Sequence, residues 1–385
     1  MRVLHFYKDY LPESMGGVEQ VIRQLCAGTS RMGVHSEVLT LTRGQHASEI
    51  EFEGCHVRRV PLDVSIASNG MSYAAIGELR RMAEVCDVVH YHFPWPFADL
   101  AHFAARINKP SVVTYHSDIV RQKALLRLYQ PLCNRFLHSV DAIVATSPNY
   151  LASSAVLARY RHKTRVITYG LDKSMYPAPC AARLQHWRAL VGERFFLFVG
   201  VLRYYKGLHI LLDAMATADY PVIIVGAGPI EQELKHHAAR LRLRNLRFVG
   251  ALGEDDKAAL LTLCHAVVFP SHLRSEAFGI SLLEGAMFGK PMISSEIGTG
   301  TSYINIDRET GLVVAPSDPS AFAHAMHTLW DDPELAAKMG QRAAARYTAL
   351  FTAQQMAAGY TTLYYELVAR HACRPGSQRF PVTRS

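Results

Sequence analysis

The chain has 385 residues, 49% of them hydrophobic and 19% charged, with a formal net charge of +8; this is a globular composition that excludes a disordered chain and suffices for two lobes with a core each. No apolar run approaches the ~18 residues of a membrane span, and the sequence opens on a strand with no signal peptide, so a soluble, cytoplasmic protein is expected. The basic balance admits anionic lipid surfaces, phosphorylated substrates and nucleic acid as partners, but the cations are dispersed and no recognition helix or aromatic RNA-binding motif accompanies them, so nucleic acid is not expected.

Strand and helix periods alternate from the start: a strand over 3–7, a glycine loop, a helix over 18–32 stopped by Gly33, and a strand over 36–42. The loop Ser14-Met15-Gly16-Gly17-Val18-Glu19 can bring phosphate against backbone amides, or it can simply be a tight strand-to-helix connection. Apolar runs over 88–91, 111–115, 142–145 and 166–168 continue a mostly parallel sheet. Among nineteen histidines, His90-Tyr91-His92 is the best metal candidate. Successive positions of a strand face opposite sides of a sheet, however, and no metal site is expected. The seven cysteines form no C-x-x-C pair, which suits a reducing compartment.

His116-Ser117-Asp118 follows the strand over 111–115, at the same end of the sheet as the glycine loop. A histidine there can hydrogen-bond ligand hydroxyls or polarise a reacting group, or be a satisfied strand-end residue. Asp118 is a candidate acceptor contact or general base. Beyond it, Arg121, Lys123, Arg127 and Arg135 alternate with Leu125, Leu128, Leu132 and Phe136. Pro131 is expected to break or kink this stretch into two helices. Its basic face could dock on a membrane, or it could be the solvated side of a core-packed helix.

The proline-rich Tyr176-Pro177-Ala178-Pro179 marks a linker, giving a first lobe over 1–175, a second over 176–350, and a terminal segment over 351–385. In the second lobe, strands are expected over 195–199, 222–225, 246–249, 266–269, 292–294 and 312–314. Helices fall over 207–216, 230–241 and 255–263, and after Pro319 and Pro333. A last long helix covers 353–370, and the tail over 375–385 is loosely held. In open parallel sheets ligands bind beyond the carboxyl ends of the strands. That rule directs attention to Gly200-Val201-Leu202-Arg203-Tyr204-Tyr205-Lys206-Gly207, where Arg203 and Lys206 can neutralise an anionic leaving group. Gly226-Ala227-Gly228-Pro229 has Glu231 at the third glycine position of a dinucleotide fingerprint, so it reads as a structural turn or the wall of a base pocket.

Glu276 and Glu284 bracket the junction of an apolar run over 263–270, a loop over 271–277 and a helix over 279–288 closed by Gly289-Lys290-Pro291. Glu284 lies more than a turn inside that helix, at about 1.5 Å per residue. The two therefore do not flank one bond like the carboxyls of a glycoside hydrolase, roughly 5 to 9.5 Å apart. They suit two parts of one extended ligand, such as a nucleotide-sugar. Amides of Ala277, Phe278 and Gly279, at the positive end of the helix dipole, suit its diphosphate. Glu276 then holds hydroxyls of the transferred sugar and Glu284 those of the ribose; the plain alternative is two surface glutamates. Gly298-Thr299-Gly300 is a further loop near this region, or only a turn.

Pro270-Ser271, Ser275-Glu276-Ala277-Phe278-Gly279, Glu284-Gly285-Ala286, Gly289-Lys290-Pro291 and Glu309-Thr310-Gly311-Leu312-Val313, in this order, resemble the signature of retaining glycosyltransferases of family GT4. The resemblance runs from the first strand to about Leu350. It implies a GT-B fold, an α/β architecture of two doubly wound Rossmann-like lobes facing across a cleft. The donor is expected mainly on the second lobe and the acceptor on the first, with the last helix crossing back to the first. It implies that Glu276, His116 and Lys206 are catalytic and that Gly16, Gly17, Arg203, Lys206, Ala277, Phe278, Gly279 and Glu284 bind the donor. Val201 stands where the family shows arginine, and Arg203 is the candidate substitute. With no aspartate-x-aspartate motif, neither metal nor cofactor is expected. Tyr115-His116-Ser117-Asp118-Ile119-Val120 and Gly298-Thr299-Gly300-Thr301 look most like mannosyl- or rhamnosyl-transferring members of lipopolysaccharide and O-antigen synthesis. These imply a GDP-linked donor and a lipid-linked glycan acceptor. A peripheral contact with the cytoplasmic face of the inner membrane would run through Arg121, Lys123, Arg127 and Arg135. The alternatives are a UDP-sugar transferase of the same family and a non-catalytic nucleotide-sugar-binding partner. A nucleotide-sugar epimerase or phosphorylase and a nicotinamide oxidoreductase are weaker rivals.

Overall fold

The structure, a computed structural model, describes residues 1–14, 16–66, 69–119 and 123–373, with backbone alone over 123–126. Met15, Arg121 and the tail over 375–385 lie outside the described residues, as does the side chain of Lys123. Two compact units emerge: Met1–Ala145 with Val156–Ile167 and the residues from Gln354 on, and Thr146–Ala155 with Thr168–Ala353.

Among the described residues, the first unit holds ten strands: β1 (Arg2–Phe6), β2 (His35–Thr42), β3 (Ser48–Phe52), β4 (Cys55–Pro61), β5 (Val64–Ile66), β6 (Asn69–Met71), β7 (Val88–Phe93), β8 (Ser111–Tyr115), β9 (Ala142–Ala145) and β10 (Thr164–Val166). Eight form one sheet in the order β10-β9-β8-β7-β1-β2-β4-β3, and β5 and β6 pair as a separate hairpin. All neighbours in the large sheet are parallel except the edge pair β3–β4. Inner strands such as β7 and β8 are buried throughout, because helices cover both faces of a parallel sheet. Edge strand β3 alternates half-buried and exposed positions and carries Glu49 and Glu51, charges that discourage further strand pairing.

Several expectations are corrected here. The strand expected over 166–168 lies at Thr164–Val166; the Ile167 amide still donates to Ala145 O at 3.1 Å, beyond which the chain leaves the sheet. Pro131 does not divide its segment: one helix runs Lys123–Ser139 with Pro131 inside it. Arg127, whose carbonyl loses its partner, and Pro131 itself are both on the exposed side, so water can take the missing bond. His90 and His92 do not face opposite sides of the sheet; two positions apart, they share a face with His5 of β1.

The helix Ala353–Ala372 packs within the first unit. Its Tyr360 hydroxyl meets Thr114 Oγ1 at 2.7 Å, Tyr364 meets His90 Nδ1 at 2.7 Å, and a side chain at Gly359 would touch Ile167.

The second unit has one all-parallel sheet of β11 (Phe196–Val199), β12 (Val222–Val225), β13 (Leu246–Gly250), β14 (Ala266–Phe269), β15 (Met292–Ser295) and β16 (Gly311–Val314). Their order is β13-β12-β11-β14-β15-β16. Phe196, Phe198, Ile224, Val268 and Ile293 pack there against Leu208, Leu211 and Met326 of the flanking helices. Asp318 and Asp332 cap the helices Pro319–Asp331 and Pro333–Leu350 by accepting the amides of Ala321 and Leu335, each with proline at the first helical position. The strand order reverses between β11 and β14, so the loops after these two strands flank the sheet's switch point, where ligands bind in such folds. In the first sheet the corresponding reversal lies at β1 and β7.

Candidate functional site

Both switch-point loops of the second unit carry charge. After β11 the chain makes a short turn, Tyr204–Lys206, stopped by Gly207. Gly207 has φ +69°, and a Cβ there would sit 2.0 Å from the carbonyl oxygen of Pro270. Only glycine lets the two loops approach so closely, and that approach brings the Lys206 ammonium onto the Glu276 carboxylate. Ser271 Oγ donates to the same oxygen at 3.3 Å. Lys206 also lies 4.9 Å from the Phe269 ring centre. Burial works against its charge, but Glu276 and Tyr205 outweigh it and hold the pKa above its ordinary value. Arg203, exposed at the head of the turn, is near enough for its charge to be felt at Lys206.

The helix after β14 spans Ile280–Met287, with Gly279 as its left-handed cap at φ +102°. Glu276 is 9% exposed and Glu284 3%, which removes the surface-glutamate alternative. The Glu284 carboxylate accepts from the Tyr176 hydroxyl at 2.9 Å and pairs with Lys257 at 2.9 Å. The carboxylates of Glu284 and Glu254 raise the pKa of Lys257 against the opposing effect of its burial. Sequence reasoning missed Lys257 and Tyr176: one is an ordinary helix lysine, the other a linker residue, and only folding brings them to Glu284. Ser281, whose hydroxyl donates to Val199 O at 2.6 Å, was missed for the same reason.

Two glycine loops prove to be packing devices. A Cβ on Gly226 would lie 2.0 Å from Gly200 O, and one on Gly228 2.4 Å from Leu202 O, so this turn supports the loop holding Arg203 and Lys206. Gly300 donates its amide to Ala277 O at 2.8 Å, and Arg274 Nη1 donates to Gly298 O at 2.9 Å. Gly298-Thr299-Gly300 is thereby tied to the segment 274–277.

In the first unit, the helix Gly17–Ser30 begins at the loop after β1, with Gly16 as its cap. The Glu19 carboxylate folds back here, accepting from Ser14 Oγ at 2.9 Å, and would lie 2.6 Å from a Cβ on Gly16. Burial raises its pKa above the ordinary 4.5. His116, at the carboxyl end of β8, is buried; desolvation lowers its pKa to about 3, so it is a neutral imidazole. Its Nε2 lies 2.9 Å from His92 Nδ1, and His92 Nε2 lies 3.1 Å from His5 Nδ1. Asp118 accepts from the Tyr115 hydroxyl at 3.0 Å.

Ring nitrogens of His5, His90 and His92 all lie within 4.8 Å of one another. The closest two of these nitrogens, His5 Nδ1 and His92 Nε2, face each other at 3.1 Å, a hydrogen-bond distance. A shared hydrogen fits that gap. His90 engages Tyr364 Oη and Thr114 Oγ1, each at 2.7 Å.

On the basic helix, Arg127 is exposed, Arg135 lies 4.8 Å from the Phe103 ring centre, Phe136 is buried in the core, and Leu128 is 82% exposed. No helix among the described residues is long and apolar enough to cross a membrane.

Comparison with known proteins agrees along most of the chain. The family model "Glycosyltransferase Family 4" matches residues 15–175, and "Glycosyl transferases group 1" matches 185–346. The chain is 63% identical to D-rhamnosyltransferase WbpZ of Pseudomonas aeruginosa, over 92% of this chain and 93% of that one. It is 48% identical to O-antigen chain mannosyltransferase C of Escherichia coli, over 96% and 99% of the two chains. Among solved structures, sucrose-phosphate synthase from Thermosynechococcus elongatus superposes with a TM-score of 0.79 at 22% identity, covering 96% of this chain and 99% of its own. That likeness is one of fold.

Proposed function

The chain belongs to the group 1 glycosyltransferases of family 4, and on that premise we propose that it moves a rhamnose or mannose residue from a GDP-linked donor onto a lipid-linked glycan, with retention at the anomeric carbon, in O-antigen or related surface-polysaccharide synthesis. The family fixes sugar transfer on a GT-B fold. The choice of a deoxymannose or mannose follows the rhamnosyl- and mannosyltransferase relatives, and the GDP donor follows from the sugar.

In this reading the diphosphate lies against the amides of Ala277, Phe278 and Gly279, with Lys206 and Arg203 neutralising the charge that grows on GDP as the glycosidic bond breaks. Glu276 orients the sugar hydroxyls and Glu284 the ribose. The acceptor hydroxyl forms its bond on the face that the phosphate leaves, and its proton passes to the departing phosphate oxygen. His116 hydrogen-bonds the transferred sugar, Asp118 the acceptor, and the Gly16-Gly17 loop a phosphate or the acceptor. Arg127, Leu128 and Arg135 lie against the anionic membrane that carries the acceptor. One observation supports the reading most: a lysine whose side chain is mostly covered and a buried glutamate meet where two loops converge at the switch point of the second sheet.

Thermal stabilisation and turnover with GDP-rhamnose, GDP-mannose and UDP-glucose test it, each with a lipid-linked acceptor and without added metal. Selective use of a GDP-sugar is expected. Use of UDP-glucose alone would replace the donor assignment and keep the transferase.

A further inference from the structure

The buried histidines of the first sheet form a line. His5 on β1, His92 on β7 and His116 after β8 are joined nitrogen to nitrogen at 3.1 and 2.9 Å. The ring planes of His92 and His116 are 16° apart with centroids at 5.2 Å; those of His5 and His92 are 22° apart at 5.4 Å. Nitrogens sit on the rims of their rings, so such separations mean rings lying edge to edge in nearly one plane, the geometry of in-plane hydrogen bonds. By contrast, His90 and His92 are bonded to other partners and stack face to face at 4.4 Å.

We propose that His92, backed by His5, is a positioning residue that fixes the ring plane and tautomer of His116; the proposal rests on the role given to His116 above. Desolvation and the neighbouring histidines hold the His92 pKa well below its ordinary value, so the ring carries one hydrogen and has two imidazole neighbours. It must donate to one and accept from the other. The direction follows from the far end of the line, where His5 Nε2 is buried with no nitrogen or oxygen partner and the His5 ring meets the Cys26 thiol. If hydrogens ran from His116 toward His5, that nitrogen would be a buried N–H with only sulfur, a weak acceptor, to receive it. In the opposite direction its lone pair can accept the thiol hydrogen. His5 Nδ1–H therefore donates to His92 Nε2, and His92 Nδ1–H donates to His116 Nε2. His116, neutral, carries its hydrogen on Nδ1. Its ring thus presents a donor at Nδ1.

The full chain labelled with 15N-histidine tests this by long-range proton–nitrogen NMR, with signals assigned through His116→Ala and His92→Gln. The expected wild-type spectrum has His116 protonated at Nδ1. His92→Phe removes the bond at similar bulk, so His116 should populate both tautomers. Turnover of the GDP-sugar should fall about tenfold to a hundredfold, as on loss of other orienting partners, while GDP binding stays within about twofold. His92→Gln, whose amide can donate to His116, should recover most of the rate. A wild-type hydrogen on His116 Nε2, or an unchanged tautomer and rate in His92→Phe, overturns the proposal. The wild-type spectrum decides even if His92→Phe does not fold. Full turnover by His116→Ala would instead remove the catalytic reading of His116, whatever the spectrum shows.

Discussion

The Lys206 ammonium rests on the Glu276 carboxylate, so each neutralises the other before any ligand arrives. Their side chains are 12% and 11% exposed, which makes the pair nearly dry. A ligand with phosphate at one end and sugar hydroxyls at the other can part them without leaving either unmatched.

Removing one partner should therefore cost stability as well as catalysis. Lys206→Ala leaves a buried carboxylate with Ser271, and a loss of about 3 kcal/mol is expected. Denaturant melts should show Lys206→Ala combined with Glu276→Ala to be more stable than Lys206→Ala alone. Turnover should fall at least about a hundredfold in both.

Glu284 stands between Lys257 and Tyr176. Glu284→Ala should chiefly weaken the nucleotide complex, by about tenfold or about 1.4 kcal/mol, with little change in turnover at saturation. Lys257→Met should act in the same direction by leaving Glu284 with only the tyrosine. Calorimetric titration with GDP checks both; an unchanged affinity in both variants would remove Glu284 from the ribose.

Gly207→Ala should destabilise the fold by about 2 kcal/mol, since its Cβ would meet a backbone oxygen rather than a movable side chain. Turnover should drop further than stability alone explains, because the lysine turn is displaced. Gly253→Ala, with open space around its Cβ, is the control and should melt like the wild type.

Burial raises the pKa of Glu19. The folded chain thus holds this proton more tightly than the unfolded one, and ionisation costs stability as pH rises above about 4.5. Glu19→Gln should melt above the wild type at pH 7, with the difference shrinking as pH falls below 4.5. Parallel melting curves at pH 4 and 7 would show a constant difference if the carboxyl were already ionised without penalty.

Exposed Leu128 beside Arg127 predicts sedimentation with vesicles rich in phosphatidylglycerol that weakens as salt rises. Arg127→Glu should reduce it. Equal sedimentation with neutral vesicles would argue against a membrane face.

The second sheet was largely legible in the sequence because its strands are short, fully apolar and separated by helices with clear starts: Ala266–Phe269 and Val222–Val225 lie where the apolar runs place them. Glu276 and Lys206 could be found because they sit in loops after such strands. The region of β3 to β6 gave no comparable signal, since half-exposed strands such as Ser48–Phe52 carry charge at alternate positions. Lys257 and the line from His5 to His116 depend on contacts between residues far apart in the chain, and no spacing marks them. Pro131 misled because it and Arg127 lie on the exposed side of the helix, where water can take the bond that the missing amide leaves unmade.

The helix Ala353–Ala372 supplies two buried hydroxyls, from Tyr360 and Tyr364, to the interior of a sheet whose first strand is Arg2–Phe6. A ribosome, working at about 5–20 residues per second, therefore makes the strand Arg2–Phe6 long before the helix that completes the same core. Until that helix emerges, Thr114 lacks the Tyr360 hydroxyl and His90 that of Tyr364, and the nascent first unit must wait, incomplete, while the second can already close.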